Sequence, residues 1–158
     1  MSSMVGGYFA GKEDKKTRVL VSTKFARSFR GGTGEAKTAA NYSLSLPALR
    51  YANKLGYQQV IYLDSQNREF IEELGGMNFF WVENNILHTP RLNGQILHGI
   101  TSKTILDIAG ELGIETTECD LSLEELRSKT QSGVIQEGFA SVIAAATTHL
   151  IEFEILND

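Results

Sequence analysis

The sequence is poor in the residues that join a chain covalently or through metal ions. Cys119 is the only cysteine among 158 residues, so an internal disulfide and a cysteine-based metal cluster are both excluded. His88, His98 and His149 are scattered along the chain and show none of the spacings at which histidines share a zinc ion. We therefore predict that the protein has no metal site.

The sequence also lacks a surplus of basic residues and long apolar runs. Fifteen lysines and arginines against 19 acidic residues give a formal net charge of −4, whereas nucleic-acid-binding proteins are usually basic. No apolar run is long enough to span a bilayer, and the N-terminus lacks the apolar core of a signal peptide. We predict a cytoplasmic protein that binds neither nucleic acid nor a membrane.

The composition that remains is that of a globular domain. Hydrophobic residues make up 42% of the chain and charged residues 22%, which argues against disorder. Only two prolines occur, so stretches typical of linkers are scarce. We predict a single domain over residues 1–158, in which residues 1–16 form a lead-in.

Short β-branched and apolar runs predict strands. They lie at residues 18–22, 59–63, 69–73, 78–82 and 86–89, and further strands are predicted from Val134 onward. Asn84 and Asn85 stand between the fourth and fifth runs, which favours a hairpin there.

Helical periodicity occurs in two segments. Apolar residues three apart predict a helix over 46–55, with Pro47 in its first turn and Gly56 just past its end. A second amphipathic helix is predicted over 101–112, closing at Gly113. Helices interspersed with strands indicate a fold of mixed α and β structure.

Capping residues mark two helix starts. Thr101 or Ser102 is predicted to cap the second helix, since both carry a hydroxyl that can accept a backbone hydrogen bond. Ser122 followed by Glu125 has the spacing of a capping box and predicts a third helix that runs to about Lys129.

The segment with the strongest chemical signal is Gly31–Lys37, GGTGEAK. Its three glycines let the backbone approach other groups closely, and a lysine follows after two residues. A phosphate-binding P-loop is one interpretation, but its second glycine, directly before the lysine, is missing here. A P-loop is therefore a weak hypothesis for this segment.

Extended to GGTGEAKTAANY, Gly31–Tyr42, the segment resembles the cofactor-lysine region of branched-chain amino acid aminotransferases, which belong to class IV of the pyridoxal-phosphate aminotransferases. Gln59–Asp64 (QVIYLD), Glu72–Phe79 (EELGGMNF) and Ile96–Thr101 (ILHGIT) are similar to further family segments in the same order. The resemblance covers about residues 5–148.

This resemblance implies a fold and an assembly. It implies the large cofactor-binding domain of the family, with a mixed sheet partly closed into a barrel and flanked by helices. The family's smaller N-terminal domain is expected to be absent, and the family is dimeric, so a homodimer is expected.

The resemblance also implies pyridoxal 5'-phosphate as the cofactor. Lys37 would hold it as a Schiff base and would then move the Cα proton of the substrate. Tyr42 would donate a hydrogen bond to the phenolic oxygen of the cofactor, and Glu73 would pair with its protonated pyridine nitrogen.

Residues near the second helix would bind the other parts of the cofactor. Ile100 and Thr101 would bind the phosphate, in agreement with the local argument that a helix N-terminus offers unpaired N–H groups to an anion. Leu97 would contact one face of the ring.

The last family motif is altered in this chain. The Gly-Thr pair of the family falls on Val142 and Ile143, so Ile143 stands where the family has a phosphate-binding threonine, and Ala144 is expected at the substrate. A hydrogen bond to a charged group contributes about 1.5–3 kcal/mol, so this loss weakens binding without necessarily abolishing it.

Two functions follow from the resemblance. The first is transamination between branched-chain amino acids and 2-oxoglutarate, with small amino and 2-oxo acids as partners. The second is a catalytically impaired, truncated domain that only binds cofactor or associates with other chains.

Overall fold

The computed structural model describes residues 17–142, and residues 145–155 as backbone only. These residues form eight strands and three helices. The strands are β1 Thr17–Ser22, β2 Gln59–Leu63, β3 Ile71–Leu74, β4 Asn78–Glu83, β5 Ile86–Pro90, β6 Thr116–Cys119, β7 Ile135–Val142 and β8 Ala145–Ile155. The helices are α1 Ala39–Lys54, α2 Ile100–Glu111 and α3 Leu123–Gln131. None of the helices in the described part of the chain is long and apolar enough to cross a membrane.

All eight strands join one mixed sheet in the order β3-β2-β1-β8-β7-β4-β5-β6. The pairs β1–β2, β1–β8 and β5–β6 are parallel, and the other neighbours are antiparallel. The expected partial closure into a barrel is wrong, since β3 and β6 remain the two edges of the sheet. An isolated bridge between Phe70 and Ser122 links the segments beside these edges, but β3 is only four residues long and does not extend it into a ladder.

The predicted strands are present, with one addition. β2 has the predicted bounds, and β4 and β5 form the predicted hairpin. Asn84 and Asn85 have φ angles of 53° and 62°, the left-handed conformation that two-residue hairpin loops require. β6 was not predicted, because its sequence, TTEC, combines an exposed edge position with little apolar content.

The first helix begins seven residues before its predicted start. α1 runs from Ala39, so Pro47 lies inside the helix and not in its first turn. The buried positions are Asn41, Ser45, Ala48 and Ala52, which have helical spacing but are polar in the first half. An apolar periodicity therefore detects only the second half of this helix.

The other two helices follow their capping signals in part. Gly99, rather than Thr101 or Ser102, is the N-cap of α2, so that prediction is wrong. The capping box of α3 is confirmed: Ser122 Oγ accepts from the Glu125 N–H at 3.1 Å, and Glu125 Oε2 accepts from the Ser122 N–H at 2.9 Å.

Each helix packs on the sheet through its own apolar cluster, as in other layered domains. Ala52 of α1 belongs to the cluster that contains Tyr62 of β2, whereas Leu126 of α3 belongs to the largest cluster of the core. α2 packs through Ala109 on a third cluster, around Phe80 of β4. This packing fixes the helices, and with them the loops that lead into α1 and α2.

The capping box gives a prediction about stability. Ser122→Ala removes the acceptor for the Glu125 N–H and should lower the free energy of unfolding by about 1 kcal/mol. Urea denaturation measures this change. Ser128→Ala, an exposed serine in the same helix, is the matched control and should leave the midpoint nearly unchanged; equal losses in both variants would contradict the role of the cap.

Candidate active site

The glycine-rich loop is held rigidly against its surroundings. A Cβ atom at Gly34 would overlap the backbone of Gln95, so the close approach of these two segments requires glycine. Asn41, in the first turn of α1, donates from Nδ2 to the carbonyl oxygens of Thr33 and Ala36 at 2.7 and 2.9 Å. The lysine that follows is therefore carried by a loop with a defined shape.

Lys37 and Tyr42 are brought into direct contact. Lys37 Nζ donates to the Tyr42 hydroxyl oxygen at 2.9 Å and lies 5.3 Å from the centroid of the tyrosine ring. Lys37 stands at the end of the loop and Tyr42 in the first turn of α1, so the helix start fixes their separation. The amine thus has a polar partner but remains exposed.

Glu73 is a buried carboxyl with several partners. Its Oε1 lies 2.7 Å from Arg27 Nη1 and accepts from the Leu97 N–H at 2.8 Å, while Asn78 Nδ2 donates to Oε2 at 3.2 Å. Burial raises the pKa of Glu73 to about 8, and the Arg27 guanidinium and the Leu97 N–H oppose this rise. The carboxyl can therefore hold a proton near neutral pH.

The lysine and this carboxyl line one small cleft. The described residues around it come from the glycine-rich loop, the turn between β3 and β4, the start of α2 and the end of β7. They are Lys37, Glu73, Gly76, Met77, Asn78, Leu97, Gly99, Thr101, Ser141 and Val142. We name this hollow the lysine cleft.

Most of the predicted site residues meet there. Lys37, Glu73, Leu97 and Thr101 line the lysine cleft, and Tyr42 adjoins it through its bond to the lysine. The side chain of Ile100 is different: it is 76% exposed and lines a neighbouring cavity. Its predicted role uses only the backbone N–H, which the start of α2 leaves available. Ile143 and Ala144 lie outside the described residues.

The residues of the cleft fit pyridoxal phosphate. Ser141 is 2% exposed, and its Oγ has no hydrogen-bond partner in the part of the chain that the structure describes. A buried hydroxyl without a partner costs free energy, and a ligand oxygen in the cleft would relieve that cost. Together with the Thr101 hydroxyl and the start of α2, it provides polar donors for an anion, while Lys37 offers the amine and Glu73 the acid.

Two residues of the site were missed by the sequence analysis. Arg27 is 2% exposed and donates from Nε and Nη1 to the carbonyl oxygens of Gly75 and Gln95, both at 3.3 Å. Its neighbours in sequence are polar or aromatic and gave no sign of burial. Ser141 was overlooked because only its surroundings in space, not its position in the chain, distinguish it.

Comparison with known proteins decides the family. The sequence profile of amino-transferase class IV matches residues 6–135, most of the chain. The chain belongs to the class IV aminotransferase family. Among curated members, the chain is 46% identical over 140 residues to a probable branched-chain-amino-acid aminotransferase of Staphylococcus aureus (strain N315), covering 89% of this chain and 39% of the relative.

Other members of the class IV family give the same picture. Branched-chain-amino-acid transaminase 1 of Bacillus subtilis (strain 168) is 39% identical, over 97% of this chain and 43% of its own length. The branched-chain aminotransferase of Thermoproteus uzoniensis, solved with norvaline, superposes with a TM-score of 0.79 at 31% identity, over 94% of this chain and 46% of that one. The chain thus spans about two fifths of the length of the curated relatives it matches.

A structure with a cofactor derivative is also similar to this class IV chain. It is a bacterial-type branched-chain amino acid aminotransferase solved with pyridoxamine 5'-phosphate. It superposes with a TM-score of 0.73 at 26% identity, over 87% of this chain and 43% of that chain. The mixed α and β fold expected from the resemblance is therefore confirmed.

The buried ion pair gives a prediction about pH dependence. In Arg27→Met, the Glu73 carboxyl loses its cationic partner, so its pKa should rise further above the ordinary value of 4.5. A carboxyl whose pKa is raised in the folded state destabilises the fold as pH rises. We expect a loss of about 3 kcal/mol in unfolding free energy near pH 9, and a smaller loss near pH 6.

Urea denaturation at both pH values measures the effect of Arg27→Met. Arg30→Met, which removes an exposed arginine from the same segment, is the control and should change stability little at either pH. A loss in Arg27→Met that is the same at both pH values would show that the guanidinium does not act through Glu73.

Proposed function

We propose that this chain carries the pyridoxal-phosphate-binding half of a branched-chain amino acid aminotransferase. The observation that supports this most directly is the lysine cleft, in which an amine and a buried carboxyl face one hollow. The reaction would move an amino group from a branched-chain amino acid to 2-oxoglutarate. The named relatives from Staphylococcus and Bacillus support this choice of substrate.

Lys37 has two tasks in this proposal. Its Nζ binds the cofactor aldehyde covalently, because only a primary amine can condense with it. When bound, pyridoxal phosphate supplies an electron sink for the substrate carbon that loses its proton. The freed Lys37 amine accepts that proton and returns it to the other carbon. The Tyr42 hydroxyl, 2.9 Å from Nζ, holds the amine in place.

Glu73 would act at the opposite end of the ring. Because burial raises its pKa to about 8, this carboxyl can share a proton with a pyridine nitrogen near neutral pH. Arg27 and the Leu97 N–H fix its Oε1, and Asn78 reaches Oε2, so its direction is set. Arg27 is accordingly a positioning residue, since it acts only through Glu73.

The anionic end of the cofactor would bind at the start of α2. The backbone N–H groups of Ile100 and Thr101, the Thr101 hydroxyl and the dipole of α2 favour a phosphate group there. Ser141, on β7, contributes a further hydroxyl. This matters because Ile143 stands where the family has a threonine, so one hydroxyl of the family pattern is missing.

The assembly and location of the protein stay predictions. We expect a homodimer in the cytoplasm, and a substrate site that is completed by chain not included in the two fifths matched here. A chain that binds cofactor without turning over leucine and 2-oxoglutarate would support the alternative of a binding or association module.

The absorption spectrum tests the role of Lys37. With added pyridoxal phosphate, the purified protein should develop the visible band of a lysine-bound cofactor, and Lys37→Ala should not. Lys54→Ala, which removes an exposed lysine from the last turn of α1, should keep the band. If the band is missing in the unaltered protein, or persists in Lys37→Ala, the assignment is wrong.

The affinity for the cofactor tests the role of Ser141. Ser141→Ala should weaken binding of pyridoxal phosphate about tenfold, because a hydrogen bond from a hydroxyl to an ionised group is worth about 1.5–3 kcal/mol. Fluorescence titration gives the dissociation constant, and the exposed Ser128→Ala serves as the control. Unchanged affinity would mean that the buried hydroxyl does not reach the cofactor.

A further inference from the structure

A second, larger cavity adjoins the lysine cleft. It has a volume of about 330 Å³ and is enclosed by β3, the β4–β5 hairpin and the start of α2. The two hollows share a wall formed by Asn78, Leu97 and Gly99. Glu73 lines only the lysine cleft and Glu72 only the larger cavity, as expected for neighbouring residues of a strand. The cavity is therefore separate from the proposed cofactor site.

The floor of this cavity carries a buried carboxyl. Glu72 is 2% exposed, and its Oε1 accepts from Asn93 Nδ2 at 3.0 Å. Within the described residues no hydrogen bond reaches its Oε2, and no cation forms an ion pair with it. Burial raises the pKa of Glu72 to about 7, so its charged form lacks the stabilisation that a close partner would give.

The walls are apolar and their charge balance is acidic. Phe79, Ile96 and Leu106 form much of the lining, and Glu118 lies at the exposed rim. Lys103, a cation on the wall, is held by Asp107 with Nζ 2.6 Å from Oδ2. Its charge is therefore already matched by a residue outside the cavity.

The wall also includes His98, whose Nε2 lies 3.1 Å from Glu35 Oε1. This imidazole likewise has a carboxylate partner of its own. The net preference of the cavity is therefore for a positive charge close to Glu72.

We propose that this cavity binds a small organic cation of the alkylguanidinium class. The head would pair with Glu72 Oε2, and the alkyl part would lie against Phe79 and Leu106. A volume of about 330 Å³ is within the range of small-molecule sites. A guanidinium is weakly hydrated and donates from several N–H groups, which suits a buried carboxylate. A bare divalent metal ion would need more oxygen ligands than these apolar walls offer.

Calorimetric titration of the full chain tests this proposal, and it does not depend on the proposed function. Butylguanidinium is the probe, and butylurea, its neutral analogue, is the comparison ligand. We expect butylguanidinium to bind at least about tenfold more tightly than butylurea, because only the cation gains a charge-assisted hydrogen bond.

Variants separate the carboxyl from the cavity. Glu72→Gln keeps an acceptor for Asn93 but removes the charge, and should weaken butylguanidinium binding about tenfold. Glu115→Gln makes the same change at an exposed position and should leave it unaltered. Ser102→Phe should block the cavity while leaving Glu72 intact, so it tests the site even if Glu72→Gln unfolds.

Three results would overturn the proposal. They are butylurea binding as tightly as butylguanidinium, absence of binding at about 10 mM probe, and unchanged affinity in either Glu72→Gln or Ser102→Phe. Circular dichroism of each variant shows whether it is folded before the titration.

Discussion

The ion pair between Arg27 and Glu73 joins the segments that build the lysine cleft. Removing two charges from water costs several kcal/mol for each, so such a pair persists only when further hydrogen bonds satisfy both groups. Here Arg27 also binds the carbonyl oxygens of Gly75 and Gln95, and Glu73 binds the Leu97 N–H. The segment after β1, the turn after β3 and the segment before α2 are thereby held together at one point.

The same interaction explains why the cleft is polar in a fold whose core is otherwise apolar. Glu73 has a cation on one side and the lysine cleft on the other, so its charge is balanced from within the protein while one direction stays open. A carboxyl in this arrangement can exchange a proton with a ligand without leaving the guanidinium unpaired for long. Catalytic groups with shifted pKa values commonly arise from this combination of burial and a fixed charged neighbour.

The sequence predicts those parts of the fold that local signals determine. The asparagine pair of the β4–β5 hairpin and the Ser122–Glu125 box need only neighbouring residues, and both are confirmed. The start of α1 escaped prediction because its buried face is polar there: Asn41 is 1% exposed yet serves the glycine loop through hydrogen bonds. The open sheet edges depend on contacts between distant segments, which no local pattern contains.

The candidate site divides in the same way. Lys37 stands out by its glycine-rich neighbours, and the resemblance to class IV aminotransferases led to Glu73. Arg27 and Ser141 are ordinary residues in the sequence, and only burial and partners mark them. The two carbonyl oxygens that Arg27 binds are 48 and 68 positions away, and for Ser141 the distinguishing feature is a missing partner, so both required the folded chain.

Asn78 stands between the two hollows. Its amide donates to Glu73 on one side and to the Leu97 carbonyl oxygen on the other, and a Cβ atom at Gly99 would overlap its amide oxygen. The partition is thus one side chain thick and leaves no room for adjustment. Position 99 is closed to every residue but glycine unless this amide gives way, and crowding in either hollow would pass straight through to its neighbour.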